Sequence, residues 1–330
     1  MSESAHAPLA IYYEHPDWFR PLFDELDRRG TPYVKLHAGS HRYDAGATER
    51  PHDVVLNRMS PSAYLRGRAH AIFYTSQYLA HLRRLGVRVI NGWDAWQAEI
   101  SKAAQLELLQ RLGLDYPAAR VINDPARAPA AAEGLRWPVI VKPNIGGSGA
   151  GVRRFDSPEQ LERAAADGSL DLGIDHTALV QELVPAEEGR IVRVEVLDGR
   201  YLYAIRIYSS GESFNLCPAD VCQSVDGAEL ERLACPADAP RNGLRVEGYT
   251  PPREIIEAVE QINAEAGIEL GGVEYMIDAR DGRVRFYDIN ALSNFVADAP
   301  RVVGFDPFAR LADWLERELA AAGSLVEEVA

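Results

Sequence analysis

Three oxygen-bearing side chains near the end of the chain have the types and the spacing of a divalent-metal site. Asp288 and Asn290 are two residues apart in an extended run, so their side chains point to the same face. A turn near residues 280–281 brings Glu274, on the preceding extended run, close to Asp288. Two carboxylates and an amide oxygen suit Mg²⁺, which takes few protein ligands together with phosphate oxygens and water. The pattern therefore predicts a metal-binding hairpin.

A glycine-rich stretch is the second candidate for chemistry. A buried-strand run ends on Lys142, four glycines follow within residues 146–151, and a second extended run begins at Val152. Dense glycines let successive backbone N–H groups line up on an anion. The loop matches neither the Walker pattern nor the dinucleotide fingerprint, since it lacks Lys-Ser/Thr after the last glycine and leads into a strand. Two interpretations stay open: a flap over phosphates, and an ordinary glycine-rich hairpin turn.

Lysine is rare in this chain. Of 35 Lys and Arg residues, only Lys35, Lys102 and Lys142 are lysine. Where lysine persists in a sequence that otherwise uses arginine, a compact ammonium is favoured over a guanidinium. Lys142 lies on the glycine-rich stretch and Lys102 near the start of a predicted helix, which makes both candidates for phosphate binding.

Composition limits the classes of function. With 330 residues, 47% apolar, the chain can form two or three lobes, and its formal charge of −14 argues against binding nucleic acid or an anionic membrane. No secretory signal and no apolar run of about 18 residues is present, so we expect a cytoplasmic protein. Three cysteines, Cys217, Cys222 and Cys235, fit a reducing compartment, and small core or pocket residues are favoured over a metal half-site.

The elements that carry these residues predict an α/β chain, made of a small open parallel-sheet lobe and two α+β lobes. The predicted lobes span residues 1–98, 99–180 and 181–330. In the first, strands alternate with helices. Arg58 follows a predicted strand over 54–56, where open sheets place ligand groups; a carboxylate anchor and a solvated loop arginine are equally favoured.

The second and third lobes position the lysines and the acidic cluster. A single helix from Ala95 to Leu112 is predicted to carry Lys102. Two antiparallel hairpins follow in the third lobe, one around Asp198-Gly199 and one joining Val273–Asp278 to Val284–Ile289.

Taken in order, these motifs resemble the ATP-grasp superfamily, in its RimK-like, glutathione-synthetase-like branch, over roughly residues 90 to 315. The resemblance rests on five segments: SKAAQLELLQRLGLDYP, VIVKPNIGGSGAGV, QELV, GRIVRVEVLDGR with YAIRI, and GGVEYMIDARDGRVRFYDIN. Each is weak alone, and their order and spacing are specific.

The resemblance implies an ATP-dependent carboxylate–amine ligase that works through an acyl phosphate. The cofactors that it implies are ATP and two Mg²⁺ ions. It implies that Arg193 and Arg206 stabilise the transferring group and that Glu274, Asp288 and Asn290 hold the metal. The implied ATP contacts are Lys102, Lys142, Gly146, Gly147, Ser148, Gly149, Gln181, Glu182, Leu183, Val184 and Glu188. Arg58 and Asn215 are candidate substrate contacts. The implied substrates are small-molecule or peptide acids and amines. Members of the family commonly form homo-oligomers, so the resemblance also implies a homo-oligomer.

The sequence departs from the family pattern at some positions, and several functions remain possible. Ile191 stands where the family usually has Asp, so the ribose contact is expected from Glu187 or Glu188. Arg206 is one residue out of register with the family's arginine. A small-molecule kinase, a peptide-macrocyclising ligase and a non-enzymatic nucleotide-binding protein are the competing functions.

Overall fold

The computed structural model describes residues 7–15, 17–147, 149–208 and 245–329. Ser148, Asn215 and the three cysteines lie outside these residues. The described parts form three sheets that follow one another along the chain. The lobe boundaries themselves stay a prediction.

The N-terminal sheet is parallel and has the strand order β2-β1-β3-β4. Its strands are β1 (Leu9–Tyr13), β2 (Tyr33–His37), β3 (Val54–Arg58) and β4 (Arg88–Ile90). Helices α1 (Arg20–Arg29) and α2 (Ala69–Arg84) are part of the same lobe, and a 3-10 helix, Pro61–Arg66, follows β3. A small open parallel sheet was predicted and is confirmed.

The helix predicted from Ala95 to Leu112 is two helices. Helix α3 (Trp93–Glu99) ends before Ser101, and α4 (Lys102–Arg111) starts after it. The Ser101 hydroxyl caps α4 by accepting a hydrogen bond from the Ala104 N–H at 3.1 Å. This cap outweighs the continuous helical pattern, because Ser at an N-cap satisfies an N–H that a helix start leaves unpaired.

The central sheet is antiparallel in the order β5-β8-β6-β7. Its strands are β5 (Ala119–Ile122), β6 (Val139–Pro143), β7 (Arg153–Phe155) and β8 (Ala178–Glu182). The short helix α5 (Ala128–Ala131) and α6 (Pro158–Ala166) pack on it. The glycine-rich stretch therefore joins two paired strands, as predicted.

The large sheet is antiparallel in the order β11-β10-β9-β12-β13. Its strands are β9 (Arg190–Leu197), β10 (Arg200–Tyr208), β11 (Arg245–Tyr249), β12 (Leu270–Ile277) and β13 (Val284–Asn290). Both predicted hairpins are present. Asp198 and Gly199 form the two-residue turn with positive φ of 57° and 66°, which matches the twist of the two strands.

The two faces of the large sheet pack differently. One face, with Val194 and Tyr275, packs on α4 and on α7 (Arg253–Ala266). The other, with Ile191 and Ile205, shares an apolar core with the N-terminal sheet. Helices α8 (Ala299–Val303) and α9 (Pro307–Val329) follow β13, and α9 packs against α1. The second face is therefore covered by another lobe.

Candidate active site

The acidic hairpin has the predicted geometry. Glu274 and Asp288 are directly paired across β12 and β13. The Asn290 side-chain amide donates to Asp288 Oδ2 at 3.1 Å, so the two side chains lie next to each other on one face. Two carboxylates and an amide are the hard-oxygen donors that suit Mg²⁺. The described residues contain no group of three His, Cys, Asp or Glu fit to hold a metal, so other oxygens would complete the coordination.

A bulge in β13 adds a residue that the sequence analysis did not identify. The pairing shifts between Glu274 and Tyr275, which leaves Tyr287 as the extra residue on the partner strand. The Tyr287 hydroxyl donates to Glu274 Oε2 at 2.7 Å. Bulges re-aim side chains, and this one fixes the orientation of the Glu274 carboxylate.

Arg193 continues the charged face onto β9. It is paired with Glu274 across β9 and β12, and its Nη1 donates to Glu274 Oε1 at 2.8 Å. Its Nε donates to Glu195 Oε1 at 2.5 Å. A Cβ at Gly272 would lie 2.8 Å from Arg193 Nη2, so glycine there leaves space for the guanidinium. Glu195 and Gly272 were missed, although the two-residue spacing of Arg193 and Glu195 on a strand was a usable signal.

Lys102 closes the other end of this face. Its Nζ lies 2.6 Å from Asp288 Oδ1. Lys102 contacts Asp288, Asp288 is paired with Glu274 across the two strands, and Arg193 bonds both Glu274 and Glu195. We call these five residues the charged row. Burial acts to raise the pKa of Asp288, but Lys102 and Lys142 together hold that pKa below its usual value. Burial raises the pKa of Glu274, with Arg193 acting against the rise.

Asn144 ties the glycine-rich stretch to the helix that carries Lys102. Its Oδ1 accepts from the Ala103 N–H at 2.9 Å, and its Nδ2 donates to Asp175 at 2.8 Å. Lys142 lies two residues earlier on β6 and is 6% exposed. One side chain therefore sets the position of both predicted phosphate lysines, and no local pattern in the sequence pointed to it.

The glycine loop lies against the 3-10 helix of the N-terminal lobe. A Cβ at Gly147 would be 3.3 Å from Ser62 Cβ, and one at Gly146 would be 3.8 Å from Tyr64 Oη. Gly149 and Gly151 have positive φ of 71° and 75°. The close approach at Gly147 and the left-handed backbone beyond it both favour glycine.

The QELV segment begins inside β8, since Gln181 and Glu182 are the last two residues of that strand. The N–H groups of Glu182 and Leu183 already donate to Ala118 O and Pro138 O, at 2.9 and 3.0 Å. The Glu182 carboxylate accepts from the Arg136 N–H at 3.0 Å. Gln181 and Val184 are buried. The predicted adenine contact is not tested by these observations and stays a prediction for the other backbone groups of the segment.

Glu188 lies apart from the charged row. It has a positive φ of 53°, and its carboxylate pairs with Arg190, as does that of Glu187 at 2.8 Å. Its side chain is 65% exposed. A ribose contact by Glu187 or Glu188 stays a prediction.

Arg58 is not on a solvated loop. It is the last residue of β3, is 1% exposed, and donates through Nη2 to Ser293 O. The prediction that the strand ended at residue 56 was wrong, since parallel pairing with β1 continues through Arg58. The loop alternative is excluded, and the residue lies inside the molecule.

Arg206 lies on the opposite face of the large sheet from Arg193. Ile205, not Arg206, is the residue paired with Arg193, and alternate strand residues point to opposite faces. The Arg206 guanidinium stacks on Tyr249, 3.6 Å from the ring centroid. The predicted catalytic role of Arg206 is therefore not supported by its position.

Glu99, which the sequence analysis also missed, holds the segment that follows the metal hairpin. Its buried carboxylate accepts from the N–H groups of Ala291 and Leu292. Burial raises the pKa of Glu99 to about 7. This contact fixes the backbone directly after Asn290.

Comparison with known proteins agrees with this architecture. Residues 100–222 match the model of the RimK-like ATP-grasp domain. These residues form a RimK-like ATP-grasp domain, and the chain has the ATP-grasp fold. No helix among the residues that the structure describes is long and apolar enough to cross a membrane.

Particular relatives include two ligases. The D-alanine–D-alanine ligase of Geobacter sulfurreducens is 30% identical over 164 residues, which cover 46% of this chain and 48% of the relative. The probable alpha-L-glutamate ligase of Shewanella pealeana is 29% identical over 255 residues, covering 73% and 51%. The chain thus spans about half the length of these curated relatives.

Two solved structures share the fold over nearly their whole length. The ATP-grasp ligase PsnB in complex with a minimal precursor has a TM-score of 0.65 at 20% identity, covering 94% of this chain and 99% of PsnB. The D-cycloserine synthetase DcsG has a TM-score of 0.64 at 17% identity, covering 94% and 99%.

Proposed function

We propose that the chain is an ATP-dependent carboxylate–amine ligase that makes an amide bond on an amino acid, a peptide or a related small acid and releases ADP and phosphate. The observation that carries this proposal is the charged row, which is partly exposed at Lys102 and Asp288 and buried from Glu274 to Glu195. It brings together a lysine of the kind that binds phosphate, two carboxylates of the kind that bind metal, and an arginine, through an ion pair, a strand pairing and a hydrogen bond. The ligase names of the relatives agree with it.

In the proposed reaction a substrate carboxylate oxygen attacks the γ-phosphorus, and the bond to the β-phosphate oxygen breaks to release ADP. An amine nitrogen then attacks the acyl carbon, loses a proton, and phosphate leaves with the carbon–oxygen bond electrons. Such chemistry needs alignment and charge neutralisation more than a protein nucleophile.

Each part of the site has a role in this scheme. Lys102 and Lys142 bind phosphate oxygens, with Asn144 fixing their relative position. Arg193, held by Glu195 and Glu274, faces the charge that develops on the transferring group. The glycine loop, lying on the 3-10 helix, excludes water from the acyl phosphate.

The donor set fits magnesium. Glu274, Asp288 and the Asn290 carbonyl would hold it, and their shared face is established by strand pairing and by the Asn290–Asp288 hydrogen bond. When bound, magnesium supplies neutralisation of phosphate charge. The chain's own residues provide the remaining positive charge.

Matched lysine variants test the proposal. ADP release is measured with Mg·ATP and pairs drawn from the twenty L-amino acids, and products are identified by mass spectrometry. Lys142→Ala should abolish release, while Lys35→Ala, an exposed lysine on β2, should retain wild-type activity. Full activity of Lys142→Ala would refute the assignment.

A peptide-modifying ligase is the second candidate. Unlike the longer curated relatives, PsnB is nearly coextensive with this chain, and its structures contain a precursor peptide. The candidate predicts ADP release with carboxylate-bearing peptides and none with free amino acids, which the same assay distinguishes.

A further inference from the structure

Strand β13, which carries Asp288 and Asn290, lies at the edge of the large sheet, next to β12. An edge strand leaves a row of backbone N–H and C=O groups without partners in the sheet. Where such groups are buried they need partners from elsewhere, because an unpaired buried backbone group is costly. Helices α3 and α4 contact β13 and supply these partners.

Gln105, on α4, bonds both backbone groups of the residue between Asp288 and Asn290. Its Nε2 donates to Ile289 O at 2.8 Å, and its Oε1 accepts from the Ile289 N–H at 3.2 Å. Nε2 also donates to Ala98 O of α3 at 2.9 Å, and the side chain is 3% exposed. A single buried amide therefore bonds the edge of β13 as a neighbouring strand would, and α3 holds that amide in place.

Ala291, directly after Asn290, is held in the same way by two other buried side chains. The Glu99 carboxylate accepts from the Ala291 N–H, and Asn91 Nδ2 donates to Ala291 O at 2.6 Å. Asn91 is fixed in turn, since its Oδ1 accepts from the Leu270 N–H at 3.2 Å. The backbone on both sides of Asn290 is thus bonded to side chains from outside the sheet.

The helix that carries Gln105 also carries Lys102. The two residues are three apart on α4, so their side chains lie on one face of the helix. Lys102 Nζ lies 2.6 Å from Asp288 Oδ1, while Gln105 bonds the backbone of Ile289. Gln105 therefore fixes the strand of the predicted metal ligands relative to the helix of a predicted phosphate lysine.

Building on the proposed ligase function, we infer that Gln105 is a positioning residue for the metal site, with Glu99 in the same role one step further along the chain. Gln105 acts through the backbone of Ile289 and so sets the direction of the Asp288 and Asn290 side chains on either side. Groups that orient metal ligands without touching the metal typically contribute about 10- to 100-fold to metal affinity. An apolar side chain at position 105 would leave both backbone groups of Ile289 without these bonds.

Nucleotide binding with and without metal tests this inference apart from turnover. Isothermal titration calorimetry measures the dissociation constant of ADP in EDTA and in excess Mg²⁺, and the ratio of the two constants is the contribution of the metal. The variant is Gln105→Met, which keeps the length of the side chain and removes the amide. Asn263→Leu is the matched control, because Asn263 is a buried amide that bonds Val259 O of its own helix, α7, at 2.8 Å.

We expect Mg²⁺ to tighten ADP binding to the wild type, and Gln105→Met to reduce the ratio by at least about tenfold. Binding of ADP in EDTA should stay within about threefold of wild type, since Asn144 still holds the helix of Lys102. Asn263→Leu should keep the wild-type ratio, although it also loses a buried hydrogen bond and should melt at a lower temperature.

Glu99 gives an independent comparison, which also covers a Gln105→Met chain that fails to fold. Glu99→Leu removes the acceptor for the Ala291 N–H and should reduce the ratio by about tenfold. Glu99→Gln keeps an acceptor, through Oε1, and should bring the ratio back to within about threefold of wild type. An acceptor that restores the metal contribution would identify the hydrogen bond as its source.

A ratio in Gln105→Met and Glu99→Leu that equals the wild-type ratio would overturn the inference, whatever their melting temperatures, and would leave the ligase proposal standing. An equal loss in Asn263→Leu would also overturn it, because that would show a general effect of destabilisation. If Mg²⁺ does not tighten ADP binding to the wild type, the metal site itself is refuted, and the proposed function fails together with the inference.

Discussion

Arg193 and Glu274 lie directly opposite each other on β9 and β12, and Arg193 Nη1 donates to Glu274 Oε1 at 2.8 Å. The contact joins the arginine segment to the metal hairpin, 81 residues further along the chain. It converts two separate motifs into one charged surface. The proposed chemistry depends on that surface.

Replacing Arg193 with lysine should lower kcat by roughly 100- to 1000-fold, the scale of losing one donor to a developing charge. A lysine has all its donors on one nitrogen, whereas the guanidinium bonds Glu195 through Nε and Glu274 through Nη1. KM for ATP should change by less than about threefold. Steady-state kinetics with the substrates found in the ADP-release screen measures this.

Arg206→Lys is the matched comparison within the same sheet. Its side chain lies on the other face and stacks on Tyr249, so we expect kcat within about threefold of wild type. Because lysine stacks less well on Tyr249 than the planar guanidinium does, the free energy of unfolding should fall by at most about 0.5–1 kcal/mol. Equal losses of kcat in Arg206→Lys and Arg193→Lys would contradict the face assignment.

Asn144→Ala should raise KM for ATP by about tenfold or more, since its side chain positions the strand of Lys142 against the helix of Lys102. Ser101→Ala removes the helix cap and one long hydrogen bond to Asn144 Oδ1, at 3.3 Å, and should cost about 1 kcal/mol of stability with a smaller change in KM. ATP titrations and chemical denaturation of the two variants measure these effects. A larger KM change in Ser101→Ala would contradict the role given to Asn144.

The contact between the glycine loop and the 3-10 helix can be tested by compensation. Gly147→Val adds atoms where a Cβ already comes within 3.3 Å of Ser62 Cβ, so kcat/KM should fall by at least about tenfold. Ser62→Gly in the same chain should restore part of the loss. If the double variant is no more active than Gly147→Val, the loop does not close on Ser62.

Glu14 should make stability depend on acid pH. Burial acts to raise the pKa of Glu14, but hydrogen bonds from Arg66 and Arg68 hold that pKa below 4.5. A depressed folded-state pKa gives stabilisation that is present above about pH 4.5 and is lost as the pH falls through the lower, folded-state value.

Denaturant unfolding of Glu14→Gln and wild type as a function of pH checks this. At pH 7 the variant should be less stable by roughly 3 kcal/mol, since it leaves Arg66 with its partner's charge removed. The gap should narrow as the pH falls below about 4.5. A gap that is constant from pH 7 to pH 3 would contradict the ionic role.

Local sequence patterns were sufficient to predict the two hairpins and the face that carries Glu274, Asp288 and Asn290. Glu274 and Asp288 are joined by one short turn, so strand periodicity alone placed them together. The contacts of Arg193 with Glu274 and of Asn144 with Ala103 could not be predicted, because they depend on which distant elements become neighbours. The break at Ser101 had a local signal, a serine directly before the new helix, which the continuous helical pattern obscured.

The burial of Arg58 could not be predicted from local sequence, because it depends on how the lobes pack together. Its residue type favours the surface, and only the docking of the large sheet over β3 encloses it. Glu195 is similar, since a charged residue within RIVRVEVL reads as a solvated strand position. Tertiary packing encloses both side chains.

The proposed mechanism depends above all on the formation of an acyl phosphate, and trapping with hydroxylamine detects that intermediate most directly. Wild-type protein and Lys35→Ala, incubated with Mg·ATP, hydroxylamine and the acid found in the ADP-release screen, should form a hydroxamate in step with ADP, and Lys142→Ala should form neither. ADP release with a phosphorylated product and no hydroxamate would contradict the ligase mechanism and establish a kinase instead.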